Sequence, residues 1–148
     1  MLWQDDFCRV VLADEPDYPG FLRVILNAHV KEMTDLPAAD QQALMQVVLG
    51  CEAALREAMT PDKVNLASLG NLVPHLHWHV IPRFADDPHF PNPVWGTQQC
   101  DTPHAAPADL DAQLAATLHS QGVGRGCKDA EASRTTLNRR LGRAREKE

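Results

Sequence analysis

The sequence has no run of eighteen apolar residues, so no segment is expected to span a membrane as a helix. It has no closely spaced cysteines: Cys8, Cys51, Cys100 and Cys127 all stand more than ten residues apart, which excludes both a C-x-x-C metal knuckle and a dense disulfide framework. Reduced, incidental thiols in a cytoplasmic protein are the simplest expectation. The first residues, Met1-Leu2-Trp3-Gln4-Asp5-Asp6, carry no basic n-region and no apolar h-region, so they are not expected to act as a signal peptide. There is no excess of positive charge. The formal net charge is −6, which argues against a general nucleic-acid binder. No internal repeat is present.

What remains is ordinary globular usage, with 44% apolar and 23% charged residues over 148 positions, enough for one domain with its own core. The charge is unevenly placed. From Gln121 onward eight basic residues face four acidic ones, a net of +4, leaving six basic against sixteen acidic in residues 1–120, a net of −10. The expected division is a domain over residues 1–120 and a basic tail over 121–148. That tail is poor in large apolar residues and is expected to be mobile, because it cannot bury enough surface to offset its ordering entropy.

Residues 7–12 and 21–27 read as strands, separated by turn residues that include Pro16, Pro19 and Gly20. A helix is expected over 35–59, capped by Asp35 with Pro37 in its first turn. Leu44, Val47, Val48, Cys51, Leu55 and Ala58 recur on its amphipathic period, and Pro61 stops it. Residues 63–69 and 75–83 read as two more strands. Five prolines make 86–107 irregular, and 109–119 reads as a short helix. Strands joined by turns or by one intervening helix imply an antiparallel α+β domain.

The informative segment is His75-Leu76-His77-Trp78-His79-Val80-Ile81. On a strand, alternation sends the three imidazoles to one side and Leu76, Trp78 and Val80 to the other, where they can pack on the helix. A metal is one use of such a row. However, His75 and His79 start about 13 Å apart along a strand, too far for one ion to hold all three, although two neighbours with His29 remain a possible set. Nucleophilic catalysis is the other use. A neutral imidazole can attack phosphorus while its neighbours donate to phosphate oxygens, and the middle ring, His77, is flanked on both sides.

On these residues the sequence resembles the histidine triad (HIT) family, whose motif is His-Φ-His-Φ-His-Φ-Φ with Φ apolar. The likeness extends through Tyr18 to Val30, Met33 to Leu36 and Lys63 to Pro74. Residues 69–83, followed by Asp87-Pro88-His89-Phe90-Pro91, are similar to a bacterial HIT branch, so the likeness covers about residues 5–100. It implies an α+β fold with an antiparallel sheet of about five strands and one long helix across it, and a homodimer. It also implies an enzyme that hydrolyses or transfers nucleotides at the α-phosphate of phosphoramidates or dinucleoside polyphosphates, through a covalent nucleotidyl-histidine. No cofactor is required and no metal is expected.

Carried over, His77 is the nucleophile, with His75 and His79 orienting it and binding phosphate oxygens, and His29 is the family's additional histidine near the site. Gly70 and Asn71 stand in the pre-triad loop, and Asn65 is a candidate for the phosphate or ribose. The family's ribose-binding acid or amide falls by strict spacing on Ala13, so its neighbour Asp14 becomes the candidate. Phe7, Leu12 and Leu26 are candidates for a base pocket, although apolar strand residues more often belong to the core. Arg83 could attract phosphate but reads first as a solvated strand-end cation, and Trp95 could stack on a base or a partner subunit but reads first as packing of the irregular stretch. The alternatives are a nucleotide-binding or scaffold module without turnover, and a metal enzyme built on two triad histidines and His29.

Overall fold

The structure, a computed structural model, describes residues 1–123. The expected tail therefore lies almost wholly outside the described residues. Five strands form one antiparallel sheet: β1 (Trp3–Gln4), β2 (Cys8–Leu12), β3 (Leu22–Leu26), β4 (Lys63–Ala67) and β5 (His77–Arg83). The spatial order is β1-β2-β3-β5-β4. The long helix α1 (Ala38–Met59) joins β3 to β4, and α2 (Leu110–Ser120) packs on α1 and β1.

Strand parity divides the sheet into two faces. Cys8, Val10, Leu22, Val24, Leu26 and Val80 point to one side and meet Leu44, Val48, Cys51 and Leu55 of α1 and Leu110, Leu114 and Leu118 of α2. These side chains are at most 5% exposed, and each large one buried in this way contributes about 1.5–3 kcal/mol of transfer free energy. Residues of the other parity, among them Arg9, Arg23, Ile25, His77 and His79, face away from the helices. The open face carries the chemistry.

The β2–β3 connection passes close to the end of α1. Gly20 has φ +85, and a Cβ there would meet Met59 Sδ at 2.6 Å. Only glycine fits that conformation and that contact.

Two expectations change. Asp35 does not cap the long helix. It closes a separate 3₁₀ turn (Met33–Asp35), its carboxylate accepting from the Glu32 N–H at 3.2 Å, and Pro37 takes the N-cap position of α1. Strand β4 ends at Ala67, two residues earlier than expected, and β5 begins at His77, two residues later than the alternation suggests. Leu26 is buried in the core cluster with the helices, and Phe7 and Leu12 pack partly buried against it, the core reading of the three.

Candidate functional site

The open face of β3 and β5 sets the site. Ile25 pairs with His77 and Arg23 with His79. His77 and His79 project from this face while Trp78 and Val80 lie against the core beneath. Their rings stand 4.8 Å apart between centroids, edge to face at 84°.

His75 stands off the strand. Its N–H donates to Val73 O at 2.8 Å in a turn next to Pro74, and the next N–H, of Leu76, donates to Val30 O at 2.7 Å. The turn still brings the imidazole to the site. His75 Nε2–H donates to Leu26 O at 2.6 Å, because a carbonyl can only accept. In the neutral ring Nδ1 is then an acceptor, and His29 Nδ1 lies 3.0 Å from it as the donor. The same logic fixes His77. Its Nδ1 is 2.6 Å from His75 O, so Nδ1 carries the proton and Nε2 keeps a free lone pair. Ser68 Oγ–H donates to His77 O at 2.9 Å and steadies the backbone of the middle histidine.

His79 is only 7% exposed. The edges of Phe21 and Trp95 lie against it, at 5.4 Å and 5.2 Å between centroids. Burial, with like-charge contributions from His77 and Arg23, pushes its pKa down to about 4. The ring is therefore neutral near pH 7, and its buried Nδ1 has no hydrogen-bond partner among the described residues.

A pocket of ≈ 810 Å³ brings together six of the expected residues: His29, Gly70, Asn71, His75, His77 and His79. Gly70 has φ +69, the left-handed conformation that lets the pre-triad loop turn back toward the histidines. Asn65 and Asp14 lie outside this pocket. The Asn65 side-chain oxygen accepts from Arg83 Nη1 at 2.7 Å, and Asn65 lines a neighbouring groove of ≈ 590 Å³ beside Ile81 and Pro93. Asp14 is exposed in the β2–β3 connection. Among the described residues no group of three or more His, Cys, Asp or Glu side chains is arranged to hold a metal ion.

Seven further residues line the pocket, and three of them bear on its chemistry. Arg9 and Arg23 line it from the open face of β2 and β3, and Trp95, a residue 53% exposed, lies at the His79 end. Polar residues alternating with Val and Ile in two expected strands are the sequence signal for the arginines. Arg83 is corrected outright. It is 2% exposed, not solvated, and forms a two-pronged bond to Asp87, at 2.7 Å from Nε and 3.0 Å from Nη2. Its Nη2 also reaches Asn92 O at 2.7 Å. Burial alone would raise the Asp87 pKa; the Arg83 guanidinium and the His89 and Phe84 N–H groups outweigh it and hold the carboxyl below its ordinary range.

A family model described as the HIT domain matches residues 1–86. Among solved structures, a histidine triad protein from Bradyrhizobium japonicum is 32% identical with a TM-score of 0.65, over 80% of this chain and 87% of that one. A second, from Marinobacter aquaeolei VT8, is 32% identical with a TM-score of 0.64, over 80% and 85%. Among curated proteins, an AP-4-A phosphorylase of Mycobacterium tuberculosis is 28% identical over 89 residues, which are 56% of this chain and 46% of that protein. The aligned region thus spans about half the length of that relative.

Proposed function

From the premise that the chain belongs to the HIT-domain family, whose model matches more than half of its length, we propose that it hydrolyses or transfers nucleotides at the α-phosphate of nucleotide conjugates, with His77 as the nucleophile. The observation that carries this reading is the 2.6 Å hydrogen bond from His77 Nδ1 to the His75 carbonyl. In the neutral ring it leaves the Nε2 lone pair free for attack.

The steps follow from that bond. Nε2 donates its pair to the α-phosphorus, and the bond from phosphorus to the leaving group breaks with its electrons. The leaving group takes up a proton from water. The ring becomes cationic, and the His75 carbonyl, still accepting from Nδ1–H, stabilises the new charge. Water then attacks the phosphorus, the N–P bond breaks, and the pair returns to Nε2 as a proton is lost to solvent. Neutral His79 donates a ring N–H to a phosphate oxygen, and His75, held by Leu26 O and His29, supports the turn that carries the acceptor. Gly70 and Asn71 border the phosphate. The name of the Mycobacterium relative, a phosphorylase, supports phosphoryl chemistry on a nucleotide. The family resemblance supports a homodimer and no bound cofactor.

His77→Ala is expected to reduce turnover of a nucleoside phosphoramidate or dinucleoside polyphosphate by at least about 10³-fold with unchanged circular dichroism. A nucleotidyl adduct trapped by acid-free quenching should map to His77. Turnover retained in the folded variant removes the nucleophile assignment, and nucleotide binding without turnover by the wild-type chain leaves a binding module instead.

A further inference from the structure

Residues 1–120 contain only six basic side chains, against sixteen acidic ones. Two of the six, Arg9 and Arg23, line the triad pocket, and none of the sixteen does. A pocket with this lining sits in an otherwise acidic domain, so it is a local well for negative charge.

The two arginines are placed in register with the histidines. Arg23 is the cross-strand partner of His79. Arg9 is the partner of Ile25, which is itself the partner of His77. At the usual strand spacing the Arg9 backbone is about 10 Å from that of His77, within reach of a long side chain and a ligand extending from the central ring. The partners they already have leave them available. Arg9 Nη1 donates to the neutral amide oxygen of Asn27 at 3.1 Å, so its charge is not compensated there. Arg23 Nη2 meets Glu15 at 3.1 Å, with the two side chains 36% and 42% exposed, and an exposed pair of this kind is weak. A single phosphate at His77 needs neither guanidinium. Two planar forks along one side of it fit further phosphate oxygens.

We propose that Arg9 and Arg23 are specificity-determining residues, a cationic shelf beside the triad that selects nucleotides carrying a polyphosphate chain over those with a single phosphate. The proposal rests on the pocket being the nucleotide site, and binding can test it apart from turnover.

Calorimetric titration of the full chain with adenosine monophosphate and with a methylene-bridged, non-hydrolysable dinucleoside tetraphosphate is the experiment. The wild-type chain should prefer the bridged ligand by about tenfold per guanidinium engaged. Raising the salt should weaken that ligand more steeply than the monophosphate. Arg9→Gln and Arg23→Gln should each remove about tenfold of the preference, the double variant should bind both ligands about equally, and monophosphate affinity should stay within about threefold. Equal wild-type affinities, equal salt slopes, or a preference that survives the double variant would overturn the shelf. The salt comparison uses wild-type protein alone and stands even where a variant fails to fold. A charge preference without any turnover would sink the hydrolase reading and leave the shelf; turnover through His77 without the preference would do the reverse.

Discussion

At His77 the free ring nitrogen is selected by a backbone oxygen two residues upstream. The side chain of His75 is not that acceptor; it reaches back to Leu26 O and across to His29. The two parts of His75 can therefore be separated by substitution. His75→Ala keeps the carbonyl and removes the ring, so the expected loss in kcat is at most about 10²-fold, the scale of a misplaced catalytic group, well short of the loss for His77→Ala. Nitrogen NMR of the histidines should show the same His77 tautomer in variant and wild type. A switch of tautomer, or a loss equal to that of His77→Ala, would mean that the ring itself holds the nucleophile in place. At this scale the sequence was readable where alternation holds, at His77 and His79, because strand parity alone decides the face. It was less readable at His75, where Pro74 and a backbone turn place the ring by a route that alternation cannot express.

At the scale of elements, the segment after β5 is held by one buried carboxylate. Asp87 accepts two bonds from Arg83 and three from the N–H groups of Phe84, His89 and Phe90, at 3.1, 3.0 and 2.8 Å. Beyond this anchor the chain carries Val94 against Phe21 and Ile81, and Trp95 against His79. Prolines marked the stretch as irregular, but they said nothing of its anchor. Asp86 and Asp87 look alike in sequence, yet one is exposed and the other 2% exposed. The Arg83 guanidinium and three backbone N–H groups converge on Asp87, whereas Asp86 meets His104 at the surface. Asp87→Ala strands a buried guanidinium and is expected to cost about 3–5 kcal/mol in urea unfolding. Arg83→Met with Asp87→Leu should recover much of that loss, because the uncompensated charge is then gone. A single-variant cost below about 1 kcal/mol, typical of an exposed pair, would show that the anchor is not buried in solution.

At the scale of the whole molecule, the described residues form a two-layer α+β domain whose helices cover one face of the sheet and whose candidate site occupies the other. That division was legible because apolar residues recur at helical period in 38–59 and at strand period in 22–26. Strand β1 was not, since a two-residue strand shows no alternation. The same division also builds acid sensitivity into the fold. His79 is neutral and buried, with its pKa pushed from 6.5 down to about 4. Between those values the unfolded chain binds a proton that the native chain refuses, so stability falls as pH falls through that window. The size is up to about 3 kcal/mol, from about 1.4 kcal/mol per pKa unit. Asp87 acts further down. Its carboxyl is held below the ordinary value of 3.8, so its contribution is present above that range and is lost only in stronger acid, as pH falls through the depressed native pKa. The expected result is a two-stage loss in urea midpoint, with the first stage between about pH 6.5 and 4. His79→Gln should flatten that stage and leave the second in place. An unchanged slope between pH 6.5 and 4 in His79→Gln would mean that His79 meets solvent in the folded chain, and that Phe21 and Trp95 do not close over it.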